Sequence, residues 1–589
     1  MSNLVVMLIF IFCTFAQVKV KHEVFIPDDN SHFIHVKSTI TNVKKPSLEF
    51  HLPVWTPGHY FNREYSKNVY EVKASAGNKN LKLYKIRKNI WKVESNNAST
   101  VTFEYDVFGF ERSVRTNHFT DEHAFIVPAS TFTFLPEMLS DGVDISLKIH
   151  LNKSFKKVAT GLGYGNRTEF TSNNLDVFYD SPIEVGNFNE SEFEIDGVKH
   201  RIAIFEHGNY NLEELTKEVK SVTQTIIDFF DGQIPYEHYT YMVNLQRNSG
   251  GAIEHLNSTA MLYSPDRFHT LEARKGFLGT AAHEFFHTWN VKRIRPIELG
   301  PFNYDDENYT TMLWLSEGWT SYIGDMTMLW AGFEDNDSQL RSTGRSVGSV
   351  YSSGGYKHQT LSESSFDAWI RAYRYQEIRI ASSTTVSYYG YGAIIGLVID
   401  LKIIEMTNGK KSIKDLFLAL YDRFKSNPKV GITFDELKSI AAKVAGGSLD
   451  KEFDYVNSNE KIDFNQYLKT IGKQLEEMPK GTEPSFGFRT RNGEIVDFNI
   501  NSYLAKSGLS LEDEMVSIDE HAVKDNYNDV LEKYYKVGDK VNVTVDRHGR
   551  LHTYEITLQN DDFVRYKMVD VDKPSDRQKE MLENWLKKR

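Results

Sequence analysis

The rhythm of apolar and polar positions changes twice along this chain of 589 residues. In Val18-Lys-Val-Lys-His-Glu-Val-Phe-Ile26 apolar side chains recur at every second position, and Phe33-Ile-His-Val-Lys-Ser-Thr-Ile40 alternates less cleanly. A period of two belongs to a half-buried strand, so the chain from 17 to 200 is expected to be mostly β. After Leu212 the pattern becomes helical, and 201–475 is expected to form a second, mainly α-helical unit. Ala393-Ile-Ile-Gly-Leu-Val-Ile399 is strongly apolar, but Asp400 and Lys402 interrupt it. It is therefore read as a core helix, and no stable membrane span is expected after the N-terminus. A third unit spans 480–562. The tail, 563–589, contains Asp576-Arg-Gln-Lys-Glu-Met-Leu-Glu-Asn-Trp-Leu586, again at helical spacing. A chain of this length exceeds one compact core, and the fold class expected is multidomain α+β.

The first residues have a different character. Leu4-Val-Val-Met-Leu-Ile-Phe-Ile-Phe-Cys-Thr-Phe-Ala16 is an apolar run too short to cross a bilayer comfortably, ending in small residues. It reads as a secretory signal peptide over 1–16, with an uncleaved anchor as the competing reading, because the chain terminus supplies the only positive charge ahead of it. The expected location is secreted or periplasmic. Cys13 is the only cysteine, so a chain cleaved after Ala16 has none. That excludes disulfides, cysteine-protease chemistry and zinc ribbons. A net charge of −11 gives no reason to expect nucleic acid. Sequons at Asn97, Asn152, Asn166 and Asn257 matter only in a source that glycosylates.

Candidate chemistry concentrates in the helical unit. Gly279-Thr-Ala-Ala-His-Glu-Phe-Phe-His287-Thr-Trp contains an H-E-x-x-H sequence. Residues four apart share a helix face, so His283 and His287 can bind one zinc ion. Glu284, one position along, is placed to act on an attacking water as a general base. A catalytic zinc needs a third protein ligand and keeps a fourth position open. Glu317, in Leu313-Trp-Leu-Ser-Glu-Gly-Trp319, sits among apolar neighbours where a bare carboxylate is costly. A zinc ion would satisfy it; an Arg or Lys partner is the alternative. Asp325, two turns further, is a candidate to orient a ligand histidine, with a surface Asp as the equal alternative. Lys292, Arg293 and Arg295 read as a solvated basic turn, and His51 and His59 as structural.

The string His283-Glu-Phe-Phe-His-Thr-Trp-Asn-Val-Lys-Arg-Ile-Arg-Pro296, with Glu317 in Trp-Leu-Ser-Glu-Gly, resembles the glycyl aminopeptidase family of the gluzincin zinc metallopeptidases. Val54-Trp-Thr-Pro-Gly-His-Tyr60 resembles that family's N-terminal domain. Gly250-Gly-Ala-Ile-Glu-His255 is similar to the exopeptidase motif of related aminopeptidases, with His255 in place of asparagine. Ser387-Tyr-Tyr-Gly-Tyr-Gly392 resembles their tyrosine motif, with Tyr391 where lysine is usual.

The resemblance implies a thermolysin-like catalytic domain and one zinc ion per chain, held by His283, His287 and Glu317. It also implies peptide substrates with a free N-terminus held by Glu254, with Gly251 and Ala252 on the edge strand of the cleft. Tyr389 becomes the oxyanion donor, with Tyr388 the competing choice. A preference for small first residues, Gly or Ala, follows from the family alone. In the third unit, Ser485-Phe-Gly-Phe488 resembles the carboxylate-binding loop of PDZ domains, and Ala505-Lys-Ser-Gly-Leu509 followed by Asp513-Glu-Met-Val-Ser-Ile-Asp519 resembles their core. That implies a peptide or protein C-terminus as partner; a docked module with a blocked groove is the alternative. Rival functions are a gluzincin endopeptidase and a non-enzymatic PDZ-type peptide-binding protein.

Overall fold

The computed structural model describes residues 18–139, 143–374, 381–478, 483–498, 506–560 and 565–587. The segment read as a signal peptide, Cys13 and Ala505 lie outside them. The molecule is α+β and multidomain: a β-rich N-terminal region, a helical middle region, and further β-sheets beyond it.

The N-terminal region centres on a seven-stranded sheet, with Lys19–Phe25, Phe33–Thr41 and Thr100–Phe108 side by side in its middle. Phe33–Thr41 alternates strictly in burial although its sequence does not. The reason is tertiary. Ser38 faces inward directly across from His22, and His22 Nδ1 lies 2.8 Å from Ser38 Oγ, so two polar residues satisfy each other inside an apolar core. Burial holds the His22 imidazole down at about 3, hence neutral.

The second unit begins earlier than 201. Strand Asn189–Ile195 forms a hairpin with Val198–Phe205, and both belong to a five-stranded sheet shared with His238–Leu245, Ser258–Tyr263 and Gly251–Glu254. Position 200 therefore falls inside a hairpin, because a strand takes its place from its hydrogen-bonded neighbour. Gly251–Glu254 is the outermost strand of this sheet. Helices Leu212–Phe229, Leu271–Phe286, Thr320–Trp330 and Gly390–Met406 pack beside it in one large core. Asp400, the charge interrupting the apolar helix, is buried and accepts from the Tyr322 hydroxyl at 2.7 Å and from the Ile413 amide at 2.8 Å. No helix among the described residues is long and apolar enough to cross a membrane.

The third unit has its own core, including Phe486, Ile495, Met515, Leu531 and Val543. Its main sheet runs in the order Phe488–Arg491, Glu494–Phe498, Glu514–Ile518, Lys540–Arg547, Arg550–Thr557, with helix Tyr527–Tyr534 alongside. The chain returns from it to the second unit. Tyr566–Asp570 pairs with Lys473–Glu477, and helix Asp576–Leu586 buries Met581 and Trp585 in the main core. The Trp585 indole donates to the Tyr322 hydroxyl at 2.8 Å. The tail is thus part of the second unit's core, which explains its amphipathic spacing.

Candidate active site

Helix Leu271–Phe286 starts at Thr270, whose hydroxyl accepts from the Ala273 amide, and ends where His287 caps it. Phe277, Leu278, Ala281, Ala282, Phe285 and Phe286 are buried, which fixes the helix's rotation and turns His283 and His287 toward the cleft. The next turn is set by Asn290. Its side-chain amide donates to Leu315 O at 2.9 Å, to Ser316 O at 3.3 Å and to Thr320 Oγ1 at 3.0 Å. One side chain therefore ties the end of the histidine helix to the segment carrying Glu317.

That segment, Trp314–Trp319, is a π-helical turn running straight into helix Thr320–Trp330. Wide turns of this kind recur at functional sites because they re-aim a side chain. Here Glu317, 1% exposed, points at both histidines. His283 Nε2 and His287 Nε2 are 3.0 Å apart, and Glu317 Oε2 lies 3.3 Å and 3.2 Å from them. Three atoms each about 2.0–2.2 Å from one tetrahedral ion would be separated by about 3.3–3.6 Å, so a small outward shift of the rings fits the donor set to a divalent metal of the zinc type.

The tautomer fits as well. His287 Nδ1 donates to Asn290 O at 2.6 Å, which leaves the Nε2 lone pair facing the other two ligand atoms. His283 Nδ1 lies 3.4 Å from Ser321 Oγ. Asp325, read as either a support for a histidine or a surface residue, is exposed and makes no hydrogen bond to either ring. Ser321 and the Asn290 carbonyl occupy those positions.

Burial pushes His287 down, but the Glu317 and Glu254 carboxylates outweigh it and hold the imidazole up at about 9. Burial raises Glu317, and the two histidines more than reverse it, to about 2. Glu284 goes the other way: burial, with Glu254 and Glu317 adding to it, lifts its carboxyl to about 8. Ligand-type atoms of Glu254, Glu284 and His287 lie within 4.8 Å of one another.

Glu254 ends the outermost strand, and the backbone of Gly58 presses against it: a Cβ there would lie 2.8 Å from both carboxylate oxygens. Lys292 Nζ lies 3.8 Å from Glu254 Oε1 and 2.9 Å from Asp180 Oδ1. Asp180 also holds His255 Nδ1 at 3.0 Å. The basic turn is therefore not solvated as its composition suggests. Lys292 is enclosed between two carboxylates, and the Arg293 guanidinium donates to the carbonyls of Thr288, Leu256 and Pro235. Arg295 is partly buried and donates to Lys429 O.

Tyr389 is half-buried at the start of helix Gly390–Met406, its ring 6.1 Å from that of His283. Tyr388 is buried behind it, 4.9 Å from ring to ring. The two glycines of the neighbouring turns, Gly318 and Gly392, touch backbone to backbone and bring Glu317 beside these tyrosines.

Several cleft residues carry no sequence signal of their own. Arg115 arrives from the N-terminal region and Tyr373 from the loop after helix Ala368–Arg371, and their distance along the chain hides them; Gly58 and Tyr60 stand in the quoted Val54–Tyr60 segment, which gave no sign that they reach the cleft. His59, read as structural, lies at the cleft, its ring 4.2 Å from that of Tyr373. Asn290 and Lys292 stand inside the quoted string, but their partners, Leu315, Ser316 and Asp180, do not.

With this geometry in view, comparisons with known proteins identify the family. Residues 21–187 match the peptidase M61 N-terminal domain, and residues 276–395 match the M61 glycyl aminopeptidase domain. The chain belongs to the M61 peptidases and is a peptide-bond hydrolase. A crystal structure of a protein described as an aminopeptidase N family protein, from Idiomarina loihiensis, superposes with a TM-score of 0.88 at 25% identity, covering 96% of this chain and 100% of that one. An M1 zinc metallopeptidase from Deinococcus radiodurans superposes with a TM-score of 0.45 at 12% identity, over 76% of this chain and 94% of its own. Aminopeptidase A of Legionella pneumophila gives 0.44 at 15%, over 75% and 49%. Among curated protein sequences there is no match.

Proposed function

We propose that this M61 peptidase is a zinc aminopeptidase that releases the first residue from peptides with a free N-terminus. The observation that carries the reading is the meeting of three ligand atoms 3.0–3.3 Å apart with a second, unliganded carboxylate, Glu254, beside them on an open strand edge. His283, His287 and Glu317 would hold one zinc ion, which when bound polarises the scissile carbonyl and acidifies water.

The remaining work falls to the chain's own side chains. Glu254 accepts hydrogen bonds from the substrate ammonium group and so sets the first peptide bond at the ligand set. Glu284 takes a proton from the attacking water and delivers it to the leaving amine nitrogen. The Tyr389 hydroxyl donates to the carbonyl oxygen as that oxygen gains negative charge. Its position beside His283, with Tyr388 enclosed behind it, supports Tyr389 over Tyr388. The enclosure of Glu254 by Gly58 and Lys292 supports a fixed carboxylate, which a chain-end reader needs and an endopeptidase does not.

The test is hydrolysis of Gly- and Ala-terminated peptides, with Leu- and Phe-terminated ones alongside, each also N-acetylated, with and without a chelator. Chelator-sensitive release from free N-termini, fastest with Gly or Ala, is expected. Equal cleavage of acetylated peptides would instead identify an endopeptidase.

For the third unit, the Tyr527 hydroxyl donates to Phe488 O at 2.7 Å, and the Phe486 and Phe488 rings stack on one another beside Tyr527. These contacts close strand Phe488–Arg491 against the start of helix Tyr527–Tyr534, and they support a docked module over an open groove. Export of the chain is proposed from residues 4–16 alone, and N-terminal sequencing of the secreted protein tests it.

A further inference from the structure

The strand carrying Glu254 has one open edge, and that edge is not empty. Arg115, from the N-terminal region, donates from Nη2 to Ala252 O at 3.1 Å. A Cβ on Gly251 would lie 3.6 Å from Arg115 Nη1. Among the described residues no carboxylate lies within ion-pair distance of this guanidinium, and its buried Nε makes no hydrogen bond. A half-buried cation with a buried donor to spare is costly unless an anion arrives to meet it.

The backbone that carries Arg115 is held at three points. The buried Tyr65 hydroxyl donates to Arg115 O at 2.8 Å, the Arg115 amide donates to Ser113 Oγ at 3.2 Å, and the Thr116 hydroxyl donates to Glu111 O at 3.1 Å. The contacts of Arg115 with Ala252 O and with the backbone of Gly251 place the half-buried guanidinium against the strand edge.

Position along the edge gives the chemistry. After Glu254 the chain turns into His255, which is buried against Asp180, so the open length of edge runs back from Glu254 to Gly251. An extended chain rises about 3.3 Å per residue, which puts Ala252 about 7 Å and Gly251 about 10 Å from the level of Glu254. A peptide lying along this edge with its amine at Glu254 carries its C-terminal carboxylate about 7 Å away if it has two residues and about 10 Å away if it has three. Arg115 spans that interval.

We infer that Arg115 is a specificity-determining residue that binds the C-terminal carboxylate of di- and tripeptides. Resting on the aminopeptidase reading, this makes the enzyme a short-peptide peptidase that measures its substrate between two fixed charges, Glu254 for the amine and Arg115 for the carboxylate. Longer chains meet Arg115 with a neutral peptide group and forgo the charge-assisted pair.

The test compares Ala-Ala and Ala-Ala-Ala with their C-terminal amides, and with a hexa-alanine acid, on the metal-loaded full chain. The acids are expected to exceed the amides by about tenfold or more in kcat/KM, expressed mainly in KM. R115M should close the gap between acid and amide, and R115K should restore part of it. Equal rates on acid and amide by the wild-type enzyme would overturn the inference while leaving the aminopeptidase reading intact, and this arm needs no variant to fold. The same holds if R115M slows both substrates by one factor, which would mark Arg115 as structural. Absence of cleavage of all free-amine substrates would overturn the aminopeptidase reading, and the inference with it.

Discussion

The contact between Gly318 and Gly392 allows a quantitative prediction. Gly318 follows Glu317, the proposed metal ligand, and Gly392 lies in the first turn after Tyr389. A Cβ added to Gly318 would sit 2.5 Å from both Cα and the carbonyl carbon of Gly392 and 2.7 Å from Tyr388 O. Ordinary contact begins at 3.4 Å, so the two turns must part by about 0.9 Å. The atoms in the way are all backbone, and no side-chain rotation relieves them. Overpacking of this kind costs about 1–3 kcal/mol of stability. The functional effect should match the upper end of that range, because the separation moves Glu317 away from Tyr388 and Tyr389, and a misplacement of about 1 Å in a catalytic constellation costs about 100-fold in rate, about 2.7 kcal/mol. Gly318→Ala is therefore expected to fold, to bind metal more weakly, and to lose about 100-fold in kcat/KM. Gly279→Ala, on the histidine helix, is the matched control: its Cβ would meet only Met328 Cγ, at 4.0 Å. Replacing a helical glycine by alanine there should be neutral or stabilising by up to about 1 kcal/mol. The assay is metal content, thermal unfolding and peptidase kinetics on the two variants and the parent. A Gly318→Ala enzyme as active and as fully metallated as Gly279→Ala would refute the reasoning.

Two further outcomes are expected. Glu284→Gln should keep its metal and lose about 100-fold or more in kcat, since general-base catalysis is worth about 10²–10⁴; metal analysis beside turnover checks this, and near-normal turnover would remove Glu284 from that role. His22 should make the N-terminal region acid-sensitive. Its folded value, about 3, lies below the 6.5 of the unfolded chain, so its stabilising effect is whole above about 6.5 and declines as pH falls toward 3. At pH 5 the loss from this one imidazole is about 2 kcal/mol, 1.5 pH units at about 1.4 kcal/mol each. His22→Asn should therefore show a smaller fall in urea midpoint between pH 7.5 and pH 5 than the parent, and an identical fall would show that His22 does not carry it.

The sequence by itself determined what depends on neighbours along the chain. Spacing of four put His283 and His287 on one helix face because the helical period requires it. Alternation in Lys19–Phe25 and apolar density in Gly390–Met406 specified a strand and a buried helix for the same kind of reason. Glu317 stood out because a carboxylate in an apolar run needs a partner, and the M61 resemblance drew together Glu254, Tyr388 and Tyr389, which spacing could not link.

Tertiary structure decided what depends on residues distant in sequence. The basic turn after His287 looks solvated until Asp180, more than a hundred positions earlier, closes on Lys292. Asp325 has suitable spacing for a supporting role, yet the Asn290 carbonyl and Ser321 lie at the histidine rings instead. Strand Phe33–Thr41 looks irregular until His22 meets Ser38 across the sheet. Arg115 carries no local signal, and the motif around Gly58 does not say that it meets Glu254, since a residue that completes a cleft from another domain is specified by the packing of two surfaces and not by the period of its own segment. Local sequence fixes direction along one element, whereas burial, charge partnership and distance across a cleft are properties of pairs that only the folded chain brings together.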